Sequence, residues 1–171
     1  MNFLDNHHVV QGWVHADANG GGKASDVVSL KNFNHVTILL DFGNMTAGGD
    51  ADITLLACDN VAASHTKALN NFVMRKSPGS TASDAFAAEV EITDSKIDLV
   101  AAGDVIPDTD DNCLVVIDLD GAAIRGADDD YEYDCLKVTI ASPGQVTPVG
   151  CKFILSDPRY ASGSMPSAIV D

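Results

Sequence analysis

The chain has 171 residues, ten Lys and Arg against twenty-five Asp and Glu, and a formal charge of −15. A length of this order is read as one domain, able to bury roughly 70% of the surface its unfolded chain exposes and needing no disulfide or metal staple to fold. The charge repels phosphate backbones and anionic membranes, so no nucleic acid and no membrane is expected as a partner.

The opening residues Met1-Asn2-Phe3-Leu4-Asp5-Asn6-His7-His8 have neither the basic region nor the apolar run of a secretory leader. No stretch of the sequence has the length and apolar character to span a bilayer. Residues 1–25 read as an N-terminal arm. Within it Val9-Val10-Gln11-Gly12-Trp13-Val14 pairs as one strand, and Asn19-Gly20-Gly21-Gly22-Lys23 forms a flexible hinge. Residues 26–160 read as the sandwich domain and 161–171 as a C-terminal tail, with no linker or repeat to divide the chain further.

Strand chemistry begins at 26–30 and becomes strong at Asn34-His35-Val36-Thr37-Ile38-Leu39-Leu40-Asp41-Phe42-Gly43. Val36, Ile38, Leu40 and Phe42 alternate with Thr37, Leu39 and Asp41, the period of a half-buried strand. A Gly-rich turn through Ala47-Gly48-Gly49-Asp50 then leads into a second strand over 51–60, and the two are expected to form a hairpin. Residues 68–76 read as one further strand closed by Ser77-Pro78-Gly79-Ser80. The Ala-rich segment 82–90 is also expected as a strand, because Phe86, Ala88, Val90 and Ile92 alternate with Ala87, Glu89 and Glu91. A weak strand at 98–101 precedes a central one at 113–119, apolar on both faces. Strands at 133–141, stopped by Ser142-Pro143-Gly144, and at 150–156 complete the series. Eight or so short strands with turn signals between most of them give an all-β, antiparallel β-sandwich.

Residue clusters with chemical potential are few. Asp108-Thr109-Asp110-Asp111-Asn112 and Ala127-Asp128-Asp129-Asp130-Tyr131-Glu132 gather carboxylates as a calcium site does. From Asp108, however, the Gly position of a calcium-binding helix–loop–helix holds Cys113 and its bidentate Glu position holds Leu119, so solvated loops are expected. Adjacent His7 and His8 point to opposite faces of a strand, and His15, His35 and His65 have no ligand spacing. Cys58, Cys113, Cys135 and Cys151 form no C-x-x-C pair and are expected to be buried, reduced thiols. Gly20-Gly21-Gly22-Lys23 lacks the context of a phosphate loop, and no Ser nucleophile elbow is present. Trp13, Tyr131 and Tyr133 suit either core packing, a subunit contact or stacking on a sugar. No catalytic residue, cofactor-binding residue or metal ligand is assigned, and an enzyme is not expected.

The order of several segments carries a family resemblance. These are Val28-Ser29-Leu30-Lys31-Asn32-Phe33-Asn34-His35-Val36-Thr37-Ile38-Leu39-Leu40, then Asp52-Ile53-Thr54-Leu55-Leu56-Ala57-Cys58-Asp59-Asn60, then Ala68-Leu69-Asn70-Asn71-Phe72-Val73-Met74-Arg75-Lys76, and last Phe153-Ile154-Leu155-Ser156-Asp157-Pro158-Arg159-Tyr160. Together they resemble the capsid decoration, or cement, proteins of tailed bacteriophages, over residues 26–76 and 136–160. The resemblance implies a jelly-roll-like sandwich, made in the host cytoplasm, that sits on the outer capsid surface as a dimer or trimer. Its partners would be the major capsid protein and other copies of itself. The competing expectation is a β-sandwich carbohydrate-binding module, with or without calcium; a small β-sandwich enzyme is the weakest alternative.

Overall fold

The computed structural model describes residues 3–77, 86–100, 104–107 and 112–159. In chain order the elements are α1 (Phe3–Asn6), β1 (His8–Asp17), β2 (Lys23–Ala24), β3 (Val28–Ser29), β4 (Phe33–Phe42), β5 (Ala51–Cys58), β6 (Thr66–Ala68) and β7 (Phe72–Lys76). They continue with β8 (Val90–Ile92), β9 (Ile97–Val100), β10 (Ile106–Pro107), β11 (Leu114–Asp120), α2 (Gly121–Arg125), β12 (Cys135–Ile140) and β13 (Pro148–Pro158). The first sheet runs β1-β13-β4-β11-β7-β8, and the second runs β10-β9-β5-β12-β2, with β3 also on β12 and β6 also on β5. The chain is therefore an all-β sandwich. Among the described residues every ladder is antiparallel except the short parallel pair of β9 and β10.

Alternation in the sequence becomes burial in the structure. On β4, Val36, Ile38, Leu40 and Phe42 are buried while Thr37 and Leu39 are half-exposed and Asp41 is exposed. Their ladder partners present the same face: Ile38 stands between Phe153 of β13 and Ile117 of β11. Ile53, Leu55 and Ala57 of β5, with Leu136, Val138 and Ile140 of β12, supply the buried face of the second sheet. Each large apolar side chain removed from water in this layer contributes about 1.5–3 kcal/mol.

The expected hairpin does not form. β4 pairs with β11 and β13, whereas β5 pairs with β12, β9 and β6, so the two strands lie in opposite sheets. Both carry an apolar face, and those faces meet across the core instead of lying side by side. The 43–50 connection passes along the 143–148 segment, with Gly43 N–H on Pro148 O, Thr46 N–H on Val146 O and Asp50 N–H on Pro143 O. The strand expected over 68–76 starts later, as β7 in the first sheet, while Ala68 ends β6 of the second. Asn71, in the left-handed region at φ 55°, breaks the run between them.

Of the segment expected as a strand over 82–90, residues 82–85 lie outside the described residues, 86–89 are irregular, and pairing starts at Val90. The strand expected at 9–14 is present and longer, since β1 pairs with β13 from His8 to Asp17 and forms the edge of the first sheet. The triglycine is a defined turn: Gly22 N–H bonds Ala18 O at 3.0 Å and Gly20 N–H bonds Ser142 Oγ at 3.1 Å. Short elements that lie outside the segments read as strands from the sequence include α1, β10 and α2. The short helix α2 is capped by Asp120, whose Oδ1 accepts the Ala122 N–H at 2.9 Å, a signal of the usual N-cap kind.

Candidate functional site

Two surfaces emerge from this arrangement. The first is a depression of about 620 Å³ beside α2, where Arg125, Asp128, Tyr131 and Tyr133 meet Lys31 and Arg159. The 59–65 loop between β5 and β6 supplies its aromatic support. Asp59 Oδ1 accepts the His65 N–H at 3.0 Å and Asp59 Oδ2 faces His65 Nδ1 at 2.8 Å. Those bonds hold the Asp59 carboxyl below the usual carboxylate range, the His65 backbone N–H being the largest cause. The fixed imidazole stacks on Tyr131 at 4.0 Å and 16°, and Tyr131 meets Tyr133 edge-on at 6.2 Å. Tyr131 is 44% exposed, while Tyr133 is buried beneath it.

Two of the carboxylates on this surface are held in ion pairs. Lys67 reaches Asp128 at 2.8 Å and Lys31 reaches Asp134 at 3.3 Å. The Lys67 ammonium lowers the Asp128 carboxyl, with help from the Asp130 N–H on Asp128 Oδ1 at 3.1 Å. An aspartate so engaged has little of its coordination left for a cation. Among the described residues no three His, Cys, Asp or Glu side chains converge as a metal ion would require. Of the other acidic loop, residues 108–111 lie outside the described residues, so the meeting of the two loops is not on view. The depression is suited to holding a polar ligand against an aromatic ring.

The second surface is the α1–β1 edge. β1 is ten residues long and closes one side of the first sheet. Among the described residues nothing pairs along its outer side. Val9 is 45% exposed, Val14 65% and Phe3 51%, and Asp17 at its end is the one acidic residue of the strand. A long, nearly uncharged edge with protruding apolar side chains is a template for another chain. Register shifts around Trp13 twist it, and Trp13 itself is turned inward, its Nε1–H on Val149 O at 3.0 Å. That contact gives Trp13 a packing role.

The five histidines lie in separate surroundings. His7 stacks on Phe3, His8 meets Phe33 edge-on, His35 faces Asp118, His65 is bound to Asp59, and His15 lies against Gly43 and Gly150. All four cysteines are free and buried. Burial pushes the Cys58 thiol up to about 11 and those of Cys135 and Cys151 to about 12, which makes them poor nucleophiles at neutral pH. The segments of the family resemblance also meet. Arg159 Nε–H donates to Asn34 Oδ1 at 2.8 Å, Asn34 Nδ2 donates to Asp157 Oδ2 at 3.1 Å, and Arg159 N–H bonds Asn32 O at 2.9 Å.

No family model and no curated protein matches the chain. Among solved structures it is similar to the SPBc2 prophage-derived protein YomS, at 12% identity and a TM-score of 0.47, over 89% of this chain and 94% of that one. It is also similar to the VP2 subviral particle of infectious bursal disease virus, at 11% identity and a TM-score of 0.24, over 96% of this chain. The chain spans 45% of that viral protein's length.

Proposed function

We propose that this chain is a structural virion protein that binds the outer surface of a phage capsid and stabilises it by bridging major capsid protein subunits. The observation that carries the reading is the α1–β1 edge, a long strand edge with exposed Phe3, Val9 and Val14 on a chain whose formal charge is −15. Strand addition to such an edge needs only main-chain groups and a few apolar contacts, and so suits a protein whose work is to join others. The high negative charge supports an outer position, away from packaged DNA. Support also comes from the resemblance, whose first and last segments are tied together through Asn34, Asp157 and Arg159. A copy that binds the assembled shell and not its dissociated subunits favours the shell by mass action. Self-association into a dimer or trimer belongs to the same proposal.

The test is cosedimentation of the purified chain with preassembled, undecorated heads, using wild type and the double variant Val9→Lys, Val14→Lys. Saturable binding by wild type, weakened at least tenfold in the folded variant, supports the reading. Wild type that stays in the supernatant refutes it.

A second reading has one specific observation in its favour, the depression with Tyr131 at its rim. A sugar ring stacked there and hydrogen-bonded by neighbouring carboxylates would make the chain a carbohydrate-binding module. Glycan binding that is lost in Tyr131→Ala, with no affinity for heads, would favour that alternative.

A further inference from the structure

Cys58 and Cys135 are directly opposed in the β5–β12 ladder. Directly opposed residues point their side chains to the same face, and here the two pack against each other and Val27, with Leu56 and Ala63 closing over them. The side chains of Leu55, Ala57, Leu136 and Val138 face the core, so the cysteines occupy the outer face of the second sheet. Their burial comes from the 59–65 loop and from Val27, not from the sandwich interior.

The hydrogen-bond pattern of β12 assigns the type of pair, although at this end of the ladder Cys58 C=O also accepts the Asp134 N–H at 3.3 Å. Val138 N–H donates to Ser25 Oγ at 3.0 Å and Val138 C=O accepts from Ser25 N–H at 2.9 Å, so Val138 turns its backbone away from β5. Cys135, an odd number of residues away, turns toward it. Opposed residues of that hydrogen-bonded type have Cα atoms about 5.5 Å apart, within the commonest range across a disulfide, roughly 5.5–6 Å. Their Cβ atoms, at about 5.5 Å in this wider type of pair, must close by about 1–2 Å to reach disulfide geometry.

We propose that Cys58 and Cys135 are an oxidisable pair that forms a reversible cross-strand disulfide with a small disulfide as oxidant, fastening β5 to β12. The step is two successive exchanges. The thiolate of one cysteine attacks oxidised glutathione, releasing one glutathione thiolate that takes up the lost proton. The second cysteine, deprotonated, then attacks the mixed disulfide on the first, releasing the second glutathione. The protein loses two hydrogens, and one glutathione disulfide becomes two thiols. The inward shift required makes the bond strained, hence readily reduced. Exchange is slow in the closed state, because the thiols are covered, and is gated by opening of the 59–65 loop, whose bonds from Asn60 and Asp59 are exposed.

The experiment incubates the full-length folded chain with oxidised glutathione at pH 8 and follows thiol count, intact mass and peptide linkage. Of the four thiols, two should disappear with a mass loss of about 2 Da, and digestion should join the Cys58 and Cys135 peptides. Dithiothreitol should restore all four thiols. The oxidised form should melt a few degrees higher than the reduced one. Cys135→Ala should instead accumulate one glutathione adduct on Cys58. Four persistent thiols, a linkage through Cys113 or Cys151, or an oxidised form that melts no higher would each overturn the proposal, and the wild-type linkage map decides even if the variant does not fold.

Discussion

Arg159 Nε–H donates to Asn34 Oδ1 at 2.8 Å, and the same Asn34 amide donates to Asp157 Oδ2 at 3.1 Å. One side chain near the start of β4 therefore fastens the end of β13, where Asp157 sits in the left-handed region at φ 54°. Asn34→Ala should cost about 1 kcal/mol, since both bonds are solvent-exposed. Chemical denaturation of the variant checks this, and an unchanged midpoint would show that the register of β4 and β13 alone holds the end.

Gly22 offers a sharper contrast. A Cβ there would lie 2.3 Å from Ile140 O at a backbone φ of +69°, whereas one on Gly20, at +81°, meets nothing within 4 Å. Gly22→Ala should destabilise by about 2–4 kcal/mol and Gly20→Ala by about 1 kcal/mol, the second reflecting conformation alone. Equal effects in thermal melts would show that the turn gives way.

How much of this was legible in the sequence varies with the range of the interaction involved. The alternation of Val36, Ile38, Leu40 and Phe42 announces β4 and its buried face, because a strand's period is local. What the period leaves open is which strand lies beside it. Val36 and Leu55 both belong to apolar faces, and nothing local distinguishes lying side by side from meeting across a core, so the sequence points to a hairpin where a crossover occurs. The break at Asn71 was hidden because Asn carries the positive φ that Gly more often signals. The cap of α2 is present in Asp120, but a helix of only five residues shows no periodicity to go with it. The opposition of Cys58 and Cys135 could not be read at all, since it depends on the register of two strands far apart in the chain. Of the depression, Tyr131, Tyr133 and the acidic run stand out in the sequence itself. Arg125, Arg159 and the His65 stack do not, because only the fold brings them there.

Ser25 takes the place of a strand residue between β2 and β3. Its Oγ accepts the Val138 N–H at 3.0 Å and donates to Asp26 O at 2.7 Å, while its backbone N–H bonds Val138 O. Ser25→Ala leaves a buried N–H unpaired and should cost about 1–3 kcal/mol. Hydrogen exchange at Val138 should accelerate more than at Leu55 on the opposing strand; uniform acceleration would point to global loosening instead.

Acid should weaken the fold through the aspartates that accept backbone hydrogen bonds. Asp17 is held below its ordinary value of 3.8 chiefly by the Thr147 N–H and then by the Asn19 N–H. A lowered folded pKa means that the unfolded chain binds more protons. The contribution is fully present above about pH 4 and is lost as pH falls through the folded value. Melting temperatures between about pH 2 and pH 5 should fall on acidification, and less steeply for Asp17→Asn, which keeps an acceptor but not the charge. An identical slope in the two proteins would remove Asp17 from the acid response.

Cryo-electron microscopy of phage heads with and without the protein tests the proposed virion role most directly. The expected result is density for the sandwich on the outer surface at a fixed stoichiometry, with the α1–β1 edge against capsid subunits and no requirement for the protein in shell assembly. Density on the inner surface, in the tail, or nowhere on the particle would contradict it.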